Sequence, residues 1–106
     1  MIFIHIELFA RIVQCGILIN MRELEKTLKA LANRRRLMIL KYLKTNPDTS
    51  VGEIAREIKC SFKATSKHLG ILAGCDIVER DKYSLQMFYR LTSIQKPAAR
   101  HTISLL

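Results

Sequence analysis

Hydrophobic and polar positions divide the chain into short helical stripes followed by one stretch of strands. Between Arg22 and Ala32, Leu24, Leu28 and Leu31 recur at helical spacing and predict a first amphipathic helix. Asn33 is an acceptable N-cap for a second helix, whose Leu37, Leu40 and Leu43 make another apolar stripe. Thr45-Asn46-Pro47-Asp48-Thr49 is a loop by composition. Ser50-Val51-Gly52-Glu53 then has the form of a capping box, serine at the N-cap and glutamate at N3. It opens a short helix that turns Val51, Ile54, Ala55 and Ile58 to the core and ends near Lys59-Cys60.

The next helix begins after Ser61, whose hydroxyl can accept from a free backbone N–H. Thr65, Leu69 and Leu72 fall on one face of it, at i, i+4 and i+7, while Lys63, Ser66, Lys67 and Gly70 occupy the other. A short helix that is apolar behind and small, polar and basic in front suits a DNA major groove. Two short helices joined by a tight turn, the second basic and outward-facing, make a helix-turn-helix. Gly74 can take the left-handed conformation that ends a helix. Ile77 to Lys82 and Gln86 to Leu91 read as two strands about a polar turn near Tyr83-Ser84-Leu85, with Phe88 and Leu91 as packing residues. A hairpin directly after a recognition helix is a wing. The expected fold class is therefore mainly α with a small β-hairpin, a winged helix-turn-helix over residues 21–92. Pro97 marks the first turn of a brief last helix, Ala98 to Leu105, within residues 93–106.

Residues 2–19 are mostly apolar and about as long as a membrane span. His5, Glu7, Arg11 and Gln14 interrupt them, each expensive in hydrocarbon, and neither a basic leader nor a small-residue cleavage site is present. Membrane insertion and a secretory signal are not expected. Glu7 and Arg11 could pair at i, i+4 on a helix, and the alternation of Ile2, Ile4, Ile6 and Leu8 equally allows a short strand. Residues 1–20 are read as an apolar dimerisation helix buried against a second subunit; the rival reading makes Met21 the true start.

Charge changes the picture. The 106 residues carry 18 Lys+Arg against 9 Asp+Glu, a net +9 with pI near 9.9, which points to a polyanionic partner and most often nucleic acid. Residues 33–68 alone hold Arg34, Arg35, Arg36, Lys41, Lys44, Arg56, Lys59, Lys63 and Lys67 against Asp48, Glu53 and Glu57, so the excess gathers around the outward helix. Arg34, Arg35 and Arg36 occupy a first helical turn, where the helix dipole disfavours cations. Either an outside anion such as a phosphate meets them, or the turn is solvated with Arg36 paired to an acid.

Cys15, Cys60 and Cys75 are widely spaced and odd in number, which signals neither a disulfide framework nor a zinc site and fits a reducing cytoplasm. Cys60 and Cys75 bracket the outward helix, where thiol chemistry could disturb binding. Phosphate loops, paired-histidine metal motifs and nucleophile elbows are all missing, and His5, His68 and His101 stand far apart, so no enzyme, metal or cofactor is expected.

The expected DNA contacts are Lys63, Ser66 and Lys67 to bases or adjacent phosphates, with Ser61, Phe62 and Ala64 at the start of the helix. His68 would hydrogen-bond a phosphate or brace the helix. Arg34, Arg35, Arg80 and Lys82 would supply backbone contacts that fix register but not sequence. The alternative is a winged-helix protein-docking module, for which Phe62 is the one residue that argues.

Leu28 to Leu40, Ser50 to Ala55, Ser61 to Leu72, and Val78-Glu79-Arg80 with Phe88-Tyr89-Arg90-Leu91 together resemble the ArsR/SmtB-type winged-helix transcriptional repressors, over roughly residues 22–91. Thr65-Ser66-Lys67-His68-Leu69 and the wing ending Tyr89-Arg90-Leu91 carry most of the likeness. It implies a homodimer on a palindromic operator, with repression relieved by some signal. The metal-sensing members' paired cysteines have no counterpart in Val51 to Ile58, and the last segment offers His101 without an acid, so metal sensing is not expected. Phe62-Lys63-Ala64 stands where the family often has small polar residues, which departs from any inherited base preference.

Overall fold

The computed structural model describes residues 21–106. The expectations for residues 1–20, including the Glu7–Arg11 pair and Cys15, lie outside them. Five helices and three strands follow in the order α1 (Met21–Leu31), α2 (Arg34–Thr45), β1 (Thr49–Ser50), α3 (Val51–Glu57), α4 (Phe62–Gly74), β2 (Val78–Tyr83), β3 (Gln86–Leu91) and α5 (Pro97–Ser104). The strands form an antiparallel sheet of order β1-β3-β2. The described part of the chain is a winged helix-turn-helix.

Side-chain caps set the helix starts. Asn33 Oδ1 accepts from the Arg36 N–H at 3.1 Å, Ser50 Oγ from Glu53 at 3.3 Å, and Ser61 Oγ from Ala64 at 3.1 Å. Each satisfies a backbone donor that lacks a partner inside its helix. Pro97 sits in the first turn of α5, where a missing N–H costs nothing.

One core joins the elements. Ile39, Leu40 and Leu43 of α2, Val51 and Ile54 of α3, Leu69 and Leu72 of α4, and Ile77, Val78 and Tyr89 around the sheet are all buried. Each large aliphatic contributes about 1.5–3 kcal/mol by leaving water. α5 packs against α1 and α2 through Ala99 and Ile103, and Lys44 Nζ donates to the Ile103 carbonyl at 3.2 Å.

Several local expectations change. Of the α1 stripe only Leu31 is buried, with Thr27 and Ala30, while Leu24 and Leu28 are 40% and 49% exposed. A helical period reveals an apolar stripe, but not which side a neighbour covers. On α2, Leu37 is half-buried and Ile39 takes its place in the core. The Thr45–Thr49 stretch is not wholly loop: Thr45 ends α2, and Thr49-Ser50 pairs with Tyr89-Phe88 as a third strand. Gly74 remains within α4, and the left-handed residue after the helix is Asp76, at φ 57°. In the wing, Phe88 and Leu91 are half-buried and Tyr89 is the fully packed side chain.

Candidate nucleic-acid interface

The α3–α4 turn is tight because Lys59 takes φ 53°, which lets the Cys60 N–H reach the Ala55 carbonyl at 3.0 Å. The Ser61 cap then sets the direction of α4. Thr65, Leu69 and Leu72 are completely buried beneath it, so the helix has one rotational setting. That setting leaves Lys63, Lys67 and Gly70 exposed and Ser66 half-buried on the outer face. At the helix start, Ser61 is exposed with its hydroxyl engaged as the cap, Phe62 is 63% exposed and Ala64 is half-buried. Lys26 of α1 donates to the Gly74 carbonyl at 3.3 Å, placing a cation at the negative end of α4.

A groove of about 550 Å³ runs beside α4, with Arg34, Arg35, Lys59 and His68 over Met38 and Ile58. Arg34 and Arg35 are exposed there, and Arg35 Nη1 donates to the Lys59 carbonyl at 3.4 Å. Among the described residues Arg36 is paired with no acid. Its Nε donates to the Ala30 carbonyl at 2.6 Å and its Nη2 to that of Lys29 at 3.2 Å, so it closes the C-terminal end of α1. The third Arg36 nitrogen lies 3.3 Å from His68 Nδ1. Burial holds the His68 pKa below its ordinary value, helped by the positive charges of Arg36, Arg35 and Lys67. A neutral His68 can accept from Arg36, so it braces α4 against α2.

On the wing, Arg90 is the knot. Its Nη1 lies 2.6 Å from Asp81 and 3.0 Å from Asp48, and its Nε 2.9 Å from Glu79. Its hydrogen bonds to these carboxylates raise its already high pKa further. The three acids thereby tie β2, β3 and the residue before β1 together. Ser84, at φ 58°, turns the chain between β2 and β3, and Tyr83 meets Phe88 edge-on with ring centroids 5.7 Å apart. Arg80 and Lys82 are exposed; they stand opposite Tyr89 and Met87, which line a cleft of about 510 Å³ between the wing, α3 and the start of α4. The two-residue alternation of a strand puts both cations on that side.

The fold thus brings the α4 residues, His68, Arg34 and Arg35 around one helix, while Arg80 and Lys82 stand on the wing at the register positions of Tyr89 and Met87. Lys59 and Arg56 were not anticipated, although both lie along these openings. Their basic character was visible in the charge count, but only the turn geometry places them. Cys60 is half-buried and Cys75 buried, both as free thiols. Among the described residues no cluster of three or more His, Cys, Asp or Glu could hold a metal, and no helix is long and apolar enough to cross a membrane.

A capped helix with an apolar underside and a basic outer face, followed by a braced hairpin, defines a winged helix-turn-helix protein. The profile of bacterial regulatory proteins of the arsR family matches residues 33–80. The transcriptional activator HlyU of Vibrio cholerae is 38% identical over 90 residues, covering 78% of this chain and 82% of HlyU. The chain belongs to the ArsR family. The solved structure of HlyU superposes with a TM-score of 0.68 at 36% identity, over 82% of this chain and 90% of that one. The transcriptional repressor BigR of Xylella fastidiosa is similar with a TM-score of 0.65 at 34% identity, covering 79% and 80%. The homodimeric winged helix-turn-helix DNA-binding domain of Mb0332 from Mycobacterium bovis gives 0.68 at 27% identity, covering 79% and 75%.

Proposed function

We propose that the protein is a cytoplasmic, homodimeric repressor that binds a palindromic operator in double-stranded DNA, one α4 in each of two successive major grooves. The observation that carries this reading is the division of α4: three side chains wholly buried beneath it, and Lys63, Ser66, Lys67 and Gly70 turned outward on a chain of net charge +9. Lys63, Ser66 and Lys67 contact bases or adjacent phosphates, and Ser61 with Ala64 sets the helix at the groove. Arg34, Arg35, Arg80 and Lys82 hold the sugar–phosphate backbone. His68 acts as a brace. Support for a dimer comes from Met21, Leu24 and Leu28, exposed at i, i+3 and i+7 of α1, with Leu105 exposed just beyond the α5 that packs on α1. Mb0332 is homodimeric, and BigR is a repressor.

A protein-docking module is the second reading, favoured by the exposure of Phe62 and by that of Leu85 (93%). Selection of bound sequences from random and genomic duplexes, at two salt concentrations, decides between them. Enrichment of a palindrome with half-sites about one helical turn apart supports the repressor. Salt-sensitive binding without enrichment leaves a non-specific DNA binder. Absence of binding at either salt favours docking.

A further inference from the structure

Phe62 is the first residue of α4, the end of a recognition helix that reaches base edges, and it is 63% exposed. Its neighbours on the same surface are a capping hydroxyl, Ser61, and a lysine, Lys63. A single exposed aromatic ring means little by itself. What distinguishes this one is its place, at the opening of α4 next to the exposed Lys63 and on the cleft that Ser66 of the same helix also lines. A phenyl ring has no donor or acceptor, so it cannot read the hydrogen-bonding pattern of a base pair. The major groove offers it one apolar feature, the 5-methyl group of thymine.

We infer that Phe62 is a specificity-determining residue that selects thymine in each half-site through its methyl group. The inference rests on the reading of α4 as a DNA-binding helix. Contact between ring and methyl removes both from water, as burial of any small apolar group does. Lys63 and Lys67 attract the duplex whatever its sequence, while Phe62 separates thymine from uracil, which differs from it by that methyl alone.

The experiment uses the full chain and two random duplex libraries, one made with thymine and one with uracil in its place. Sequences enriched from the first give a consensus duplex, in which each thymine is replaced singly by uracil and the affinity measured by fluorescence anisotropy. One thymine per half-site should lose about fourfold on replacement, the worth of one buried methyl. In Phe62→Ala that penalty should vanish while the other consensus positions keep theirs, and in Phe62→Leu part of it should remain. Because the ring is exposed, all three proteins should melt at the same temperature. Equal tolerance of uracil at every thymine overturns the inference, and so does a penalty that survives in Phe62→Ala. A failure of the reading beneath it is distinguishable: the thymine library then yields no consensus at all.

Discussion

At the start of α2, Arg36 turns back to the Ala30 and Lys29 carbonyls and faces His68, and Arg35 donates to the Lys59 carbonyl. On the outer face of α4, Lys63 and Lys67 have no hydrogen bond or ion pair among the described residues, and both are exposed. The two basic stretches look equivalent in a charge count. In the fold, Arg36 is committed to holding α1, α2 and α4 together, whereas the lysines of α4 have their charge directed outward. Under the proposed function, Arg36 belongs to stability, and Lys63 and Lys67 to binding.

The strongest way to break this division is to remove the support under the lysines. Leu69→Ala, a truncation at a fully buried site, should cost about 2–5 kcal/mol in urea unfolding and weaken DNA binding only through the loss of folded protein. Arg36→Gln removes charged hydrogen bonds to the end of α1 and should cost about 1–3 kcal/mol by the same measurement. If binding by the folded fraction of Arg36→Gln fell as much as its stability, the assignment of Arg36 to structure would fail. Lys82→Ala should leave stability alone and weaken binding evenly on all duplexes, lowering the salt slope by roughly one unit. An unchanged slope removes Lys82 from the phosphate contacts.

His68 gives the smallest effect. It titrates near 6.5 in the unfolded chain and lower in the fold. Between those two values the unfolded state binds more protons, so stability falls as pH drops through 6.5 and levels off below the folded value. His68→Gln should flatten the stability profile in that window. A profile identical to that of the parent protein would contradict neutral His68 as the brace between Arg36 and α4.

Much of the architecture was legible in the sequence because it is local. The caps at Asn33, Ser50 and Ser61 lie three residues from the amides they bind, and the α4 underside follows from a seven-residue spacing. What escaped depends on how separate elements meet. Arg36 meets carbonyls of the preceding helix and His68 of α4. β1 exists because Thr49 and Ser50 meet Tyr89 and Phe88, which no window around two residues reveals. Leu24 and Leu28 satisfy the helical period as well as Leu31 does, yet only Leu31 faces the core. Arg90 likewise gave no sign of holding Asp48, 42 residues away, together with two acids of β2.

In the proposed function the outer face of α4 carries the binding. The measurement that tests it most directly is the affinity of Lys63→Ala/Lys67→Ala for the enriched duplex and for a random duplex, at fixed salt and with folding verified by the melting curve. Melting should be unchanged, affinity for the enriched duplex should fall about tenfold or more, and the gap between the two duplexes should narrow. Undiminished affinity for the enriched duplex would contradict that role of α4.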